Sequence, residues 1–213
     1  VKTAAGNFLW DCIGLCDAAT IEIINGLGGL AGIAISHPHY YAAMVEWSRA
    51  FGGAPIHLHE SDRQWVMYPD PAIRFWSGMT MEIAPGLTLV NAGGHFAGAT
   101  VAHWAQAAGG KGALLAGDIV FVIPDRKYVS FMRSYPNLIP LSAPSVRRIG
   151  ASLEPFAFEA IYGAFFDRNI AAGGKEIVRR SVERYARAVS GVGNVLTRFP
   201  CIAGIEVGRH GGS

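Results

Sequence analysis

Residues 35–44 read ISHPHYYAAM: two histidines one residue apart, two tyrosines directly after them, and a short apolar run, GIA, just ahead. His37 and His39 stand at positions i and i+2. In extended backbone successive side chains alternate across the strand, so these two point the same way and can reach one ion. A third histidine from another loop would complete a three-nitrogen site. That arrangement suits zinc with a fourth position left open for water.

Two further loops offer partners. His95 lies in NAGGHFAGAT, directly after the apolar run LTLV. Asp118 lies in ALLAGDIVF, directly after ALLA. Loops at the ends of apolar strands are where catalytic groups concentrate. Gly93 and Gly94 precede His95 and Gly98 follows it, which permits a sharp turn and close backbone approach. Taken singly, a strand-end histidine is more often a hydrogen-bonded structural group than a ligand. The joint occurrence favours a metal.

The surrounding chain alternates between strand and helix patterns. Strands are expected at Phe8–Cys12, Gly32–Ser36, Pro55–His59, Thr80–Ile83, Leu87–Asn91, Val101–Ala107, Ala113–Gly117 and, last, Ala160–Tyr162. Helices are expected at Ala18–Leu27, Tyr41–Phe51, Glu60–Val66, Ala143–Leu153 and Lys175–Ser190, the fourth with Pro144 in its first turn. Such alternation predicts sheet layers covered by helices, an α/β fold. One domain over residues 1–190 is expected. Residues 191–213 have little periodicity and read as a poorly ordered tail.

Composition narrows the function. Of 213 residues, 51% are hydrophobic and 16% charged, which suits a packed core. A net charge of +2 without Lys or Arg runs provides no footprint for nucleic acid. The uncharged stretches are broken by Gly, Pro, Asn and His, so no membrane span is expected. Three cysteines, Cys12, Cys16 and Cys201, make neither a metal-type pair nor an even set. A reducing, cytoplasmic setting is therefore expected. No G-x-S-x-G elbow, phosphate loop or dinucleotide fingerprint occurs.

Four elements together resemble the metallo-β-lactamase-fold hydrolase superfamily, over roughly Val1 to Ser190. GNFLWDC resembles the strand whose aspartate, here Asp11, buttresses the metal loop. ISHPHYY takes the place of the HxHxDH loop, GGHFAGAT that of the GHTxG loop, and LLAGDIVF that of the strand delivering the family's bridging aspartate. The resemblance implies an αββα sandwich. Only six residues precede Asn7, so the family's first N-terminal strands are expected to be missing, and homodimerisation at the uncovered sheet edge is an expectation.

The departures shape the chemistry that the resemblance implies. Tyr41 stands where the loop's aspartate belongs and Ala42 where its last histidine belongs. Gly163 stands where the family's final histidine follows the last core strand. The resemblance thus implies one metal on His37, His39, His95 and Asp118, with zinc as the expected ion and iron as the alternative. The expected activity is hydrolysis of an ester, thioester, lactone or related bond in a small-molecule substrate, through a metal-bound hydroxide. Asp118 and Tyr41 are the expected catalytic residues, with Tyr40 sharing the candidacy for oxyanion donor. The alternative is a fold that has lost catalysis and serves as a binding or scaffold protein.

Other candidates are weaker. His57 and His59 read as structural, and His103 as packed. Trp10, Trp47, Trp65, Trp76 and Trp104 read as core. The segment Pro124 to Leu141 reads as a substrate loop in which Arg126, Ser130, Arg133 and Tyr135 could meet a polar or acidic substrate, or equally as a surface excursion.

Overall fold

The computed structural model describes residues 1–191, so the expected tail lies outside the described residues apart from Gly191. The first sheet has five strands in chain order: β1 (Lys2–Thr3), β2 (Gly6–Trp10), β3 (Gly32–Ala34), β4 (Ile56–His59) and β5 (Ile73–Trp76). β1 runs antiparallel to β2, and β2 through β5 are parallel. Parallel neighbours need crossovers, and α1 (Ala18–Gly26) and α2 (Met44–Ala50) supply the first two.

The second sheet contains β6 (Thr80–Ala84), β7 (Leu87–Asn91), β8 (Thr100–Trp104), β9 (Ala113–Gly117), β14 (Ala160–Gly163) and β15 (Asn169–Ile170), in the order β15-β14-β9-β8-β7-β6. α3 (Ala107–Gly110) is one irregular turn between β8 and β9. Between β9 and β14 lie two small ribbons, β10 (Phe121–Val122) with β11 (Val129–Ser130) and β12 (Met132–Ser134) with β13 (Ile139–Pro140), and then α4 (Ala143–Leu153). α5 (Gly174–Val189) packs against α4.

Side-chain alternation builds four layers from these elements. On β3, Ile33 turns to the α2 side, where it joins Ile56, Leu58, Met44 and Trp47. Its neighbour Ala34 turns inward with Phe8, Trp76, Leu87, Leu89 and Ala102, closing the space between the sheets. On β7, Leu89 faces that inner layer while Val90 faces α4 and α5, with Val146, Ile149, Leu153, Ile177 and Val178. Each wholly buried aliphatic side chain contributes about 1.5–3 kcal/mol by leaving water. The result is the αββα sandwich that the sequence implies. No helix among the described residues is long and apolar enough to cross a membrane.

Several expected boundaries move for local reasons. The helix expected from Tyr41 begins at Met44, because residues 38–40 form a 3-10 turn in which Tyr40 N–H bonds the His37 carbonyl. β1, β5 and the two ribbons have no counterpart among the expected strands. β14 is not the last strand, since β15 returns antiparallel beside it. Trp65 is not core: 48% of it is exposed.

Candidate metal centre

The two sheets meet where Thr100 N–H, at the start of β8, bonds the Ser36 carbonyl just past β3 at 2.8 Å. That junction brings three strand ends together. His37 follows β3 and is wholly buried, while His39 sits exposed on the 3-10 turn Pro38–Tyr40. His95 enters from the β7–β8 loop and Asp118 from the residue after β9. One ligand atom from each of the four lies within 4.8 Å of all the others. The four residues singled out from the sequence lie together, although His39 reaches the group from a 3-10 turn and not from a strand face shared with His37.

Glycines make the approach feasible. Gly93 and Gly94 have φ of +64° and +87°, a left-handed turn that lifts His95 out of β7. Gly98 closes the loop, and a Cβ there would stand 2.7 Å from the Asp62 carboxyl carbon. Asp62 Oδ1 accepts a 2.8 Å hydrogen bond from Gly98 N–H and so ties the His95 loop to the segment after β4. Asp62 is 1% exposed and was not singled out from sequence, because it lies within the charged helical segment Glu60–Trp65 and not directly after an apolar run.

Hydrogen bonds set the ring protons. Ser36 Oγ donates to Asp11 Oδ2 at 3.0 Å, and Ser36 N–H donates to Asp11 Oδ1 at 2.7 Å. Ser36 Oγ, 2.8 Å from His37 Nδ1, therefore accepts from that nitrogen, which leaves a lone pair on His37 Nε2. His95 Nδ1 faces the carbonyls of Met132 and Arg133 at 3.3 and 3.1 Å, so it also carries its proton. The lone pair of His95 Nε2 is then free, and that atom is buried with no hydrogen-bond partner. Asp118 Oδ1 is buried and unpartnered as well, and Asp118 Oδ2 lies 3.6 Å from His37 Nε2.

These lone pairs fit a cation. His37 Nε2 stands 3.1 Å from His39 Nδ1. A proton shared between those two rings would still leave His95 Nε2 and Asp118 Oδ1 unpaired. A buried unpaired polar atom costs about 1–3 kcal/mol, so two of them aimed at one point call for a common partner. Three imidazoles and a carboxylate are a donor set for zinc or iron.

Burial tunes the set. It holds His39 and His95 below the ordinary histidine range, and for both the charge of His37 adds to the effect. Neutral rings are the ligating form. Burial likewise lifts the Tyr40 phenol to about 12, so it stays a hydrogen-bond donor at neutral pH. Burial raises Asp11 from 3.8 to about 6 against the opposing bonds from Ser36. A raised carboxyl pKa means that the folded chain binds more protons than the unfolded one between those values, so its contribution falls as pH rises through that window. In metal-free protein, the stability of the wild type minus that of Asp11→Asn should therefore decline between pH 4 and 6, read by urea denaturation. A difference that is flat or rising with pH would remove this assignment.

The remaining candidates divide clearly. Tyr41 is buried in the α2-side core, away from the four-residue set, with its hydroxyl pushed well above the ordinary phenol range by burial. The ring beside the set is Tyr40, 5.1 Å from His37. Phe96, also not foreseen, packs at 5.8, 5.1 and 5.0 Å against His37, His39 and His95. In the Pro124–Leu141 segment, Tyr135 donates to the Asp118 backbone carbonyl at 2.9 Å and lies 5.8 Å from the His95 ring. Arg133 reaches the Gly94 carbonyl at 3.4 Å. His59 and His103 are structural, bonding the carbonyls of Gly78 and Ala157. At Gly163 a Cβ would stand 2.3 Å from the Arg168 carbonyl oxygen, so this turn has no room for a histidine as it stands.

Solved structures share the whole arrangement of layers. The DIM-1 metallo-beta-lactamase superposes with a TM-score of 0.65 at 13% identity, covering 88% of this chain and 85% of that one. This chain has the metallo-β-lactamase fold. A di-iron-bound form of TTHA1623 matches with a TM-score of 0.58 at 20% identity, over 85% of this chain and 90% of that one. A quorum-quenching N-acyl homoserine lactone hydrolase of the same fold matches at 0.52 and 19% identity, over 72% of each chain. The metallo-β-lactamase fold therefore hosts lactam and lactone hydrolases among these neighbours. In sequence, the uncharacterized protein YmaE of Bacillus subtilis (strain 168) is 50% identical over 184 residues, 86% of this chain. The chain spans 66% of that relative's length. No protein-family model matches.

Proposed function

We propose that the chain is a metal-dependent hydrolase acting on an ester, thioester, lactone or related bond. His37 Nε2, His39 Nδ1 and His95 Nε2 would hold a single ion, zinc or iron, with Asp118 completing the set. The observation that carries this reading is the buried, unpartnered Nε2 of His95 aimed at the other three ligand atoms. A bound ion of this kind supplies Lewis acidity and lowers the pKa of water from about 15.7 toward about 7.

The chain's own groups do the rest. Asp11 and Ser36 keep the proton of His37 on Nδ1, so Nε2 remains a donor of its lone pair. Asp118 would hold the ion through Oδ1, which has no other partner, and its Oδ2 is the acceptor for a proton released by the attacking water. The Tyr40 phenol, held protonated and with its ring 5.1 Å from that of His37, would donate to the oxygen on which charge develops. Tyr41 is buried in the α2-side core and lines the cavity beside the loop, and its protonated phenol is not assigned a part in the reaction. Phe96 walls the three rings and limits bulk water. Neighbours of the same fold that act on lactams and lactones support carbonyl chemistry. A single ion is proposed because Tyr41, Ala42 and Gly163 stand where the resemblance would put the ligands of a second.

The test is elemental analysis of protein purified without chelator, together with turnover of phenyl acetate and a simple lactone. About one zinc or iron per chain and hydrolysis abolished by chelator are expected. Two ions per chain would overturn the single-ion site. Far less than one ion, with no turnover, would overturn the hydrolase and favour a binding protein.

A further inference from the structure

The segment after β4 exposes three large apolar side chains within four residues: Trp65 at 48%, Met67 at 87% and Tyr68 at 62%. Single exposed apolar residues need no explanation, but contiguous ones mark binding surfaces. These three wall a cavity of about 550 Å³ together with Pro38, Ala42 and Val45. That size is in the range of pockets that enclose small ligands.

The cavity adjoins the candidate metal centre. Pro38, in its lining, is the residue between His37 and His39. Trp65 stands edge-on to Phe96 at 5.7 Å, and Phe96 touches all three imidazoles. Its charges select against an anionic occupant. Arg49 in the lining is already paired with Asp70 at 2.9 Å. Glu46, also in the lining, is exposed and has no ion pair among the described residues, so it repels a carboxylate tail.

We infer that this cavity receives an uncharged alkyl or aryl chain carried on the acyl side of the substrate. The assignment rests on the hydrolase reading above and names its substrate class: carbonyl compounds with an apolar acyl chain. The chain lies along Trp65 and Ala42 while the carbonyl reaches the histidines past Pro38 and Phe96.

Calorimetric titration of the metal-loaded chain with uncharged methyl ketones, from butanone to decanone, reads the pocket without turnover. Affinity should rise about 3- to 4-fold for each added methylene. Ala42→Trp, which fills the cavity from an exposed position, should flatten that rise. Trp65→Ala, which removes a wall, should weaken decanone roughly tenfold. Affinity independent of chain length, or a rise that both variants leave intact, would overturn the proposal. Chelator-sensitive hydrolysis of phenyl acetate reports separately on the reaction. Its absence beside an intact ketone series would defeat the hydrolase and leave the cavity's ligand class standing.

Discussion

Replacing His37 and His95 together with alanine is expected to abolish the stabilisation that metal gives the folded chain. A ligand that binds only the native state stabilises it by about 4 kcal/mol when present at a thousand times its dissociation constant. For a domain of this size that corresponds to roughly 8–16 °C in melting temperature. The wild type should show this rise when zinc is added to chelated protein, and the double variant should show none. Each substitution removes one lone pair from the converging set, and His95 Nε2 has no other partner to satisfy. The difference with and without zinc is the quantity to read, because removing a wholly buried His37 side chain has a packing cost of its own. An equal zinc-induced rise in the double variant would mean that the ion binds elsewhere.

Trp47→Ala is expected to be the most damaging single change in the first sheet's core, at about 3–5 kcal/mol. Trp47 is 2% exposed on α2, lies parallel to the Phe51 ring at 6.2 Å, and donates from Nε1 to the Ile13 carbonyl at 2.9 Å. Truncation would leave a large cavity beneath Ile33 and Ile56 and free a carbonyl in the loop between β2 and α1. That loop follows Asp11, which holds Ser36 and through it His37, so zinc affinity should weaken along with stability. Urea denaturation with zinc titration checks both. A loss under about 1 kcal/mol would show that the layer repacks around the missing indole.

Much of this was legible in the residues. Short apolar runs bounded by glycines marked β3, β7 and β9 within a residue or two, because a strand buried on both faces must be apolar along its length. The i, i+2 spacing of His37 and His39, the glycines around His95 and the acid after ALLAG marked four polar groups at strand ends, since polar side chains cannot occupy the middle of such strands without partners. Their convergence was an expectation from resemblance, and it depends on two sheets stacking with matched ends.

Contacts between segments far apart in the chain decided the rest. Tyr40 and Tyr41 are adjacent and chemically identical and both pack on the α2-side core, yet the half-buried Tyr40 ring also stands edge-on to His37 while Tyr41 is buried. Trp65 carries no local sign that it faces a cavity rather than the interior. Ser36 and Asp62 acquire their roles from Asp11 and Gly98, 25 and 36 residues away. Periodicity reports which face of an element is apolar, a property of a few neighbouring residues. Which groups meet at a point depends on how the faces of distant elements are packed, and only the assembled layers fix that.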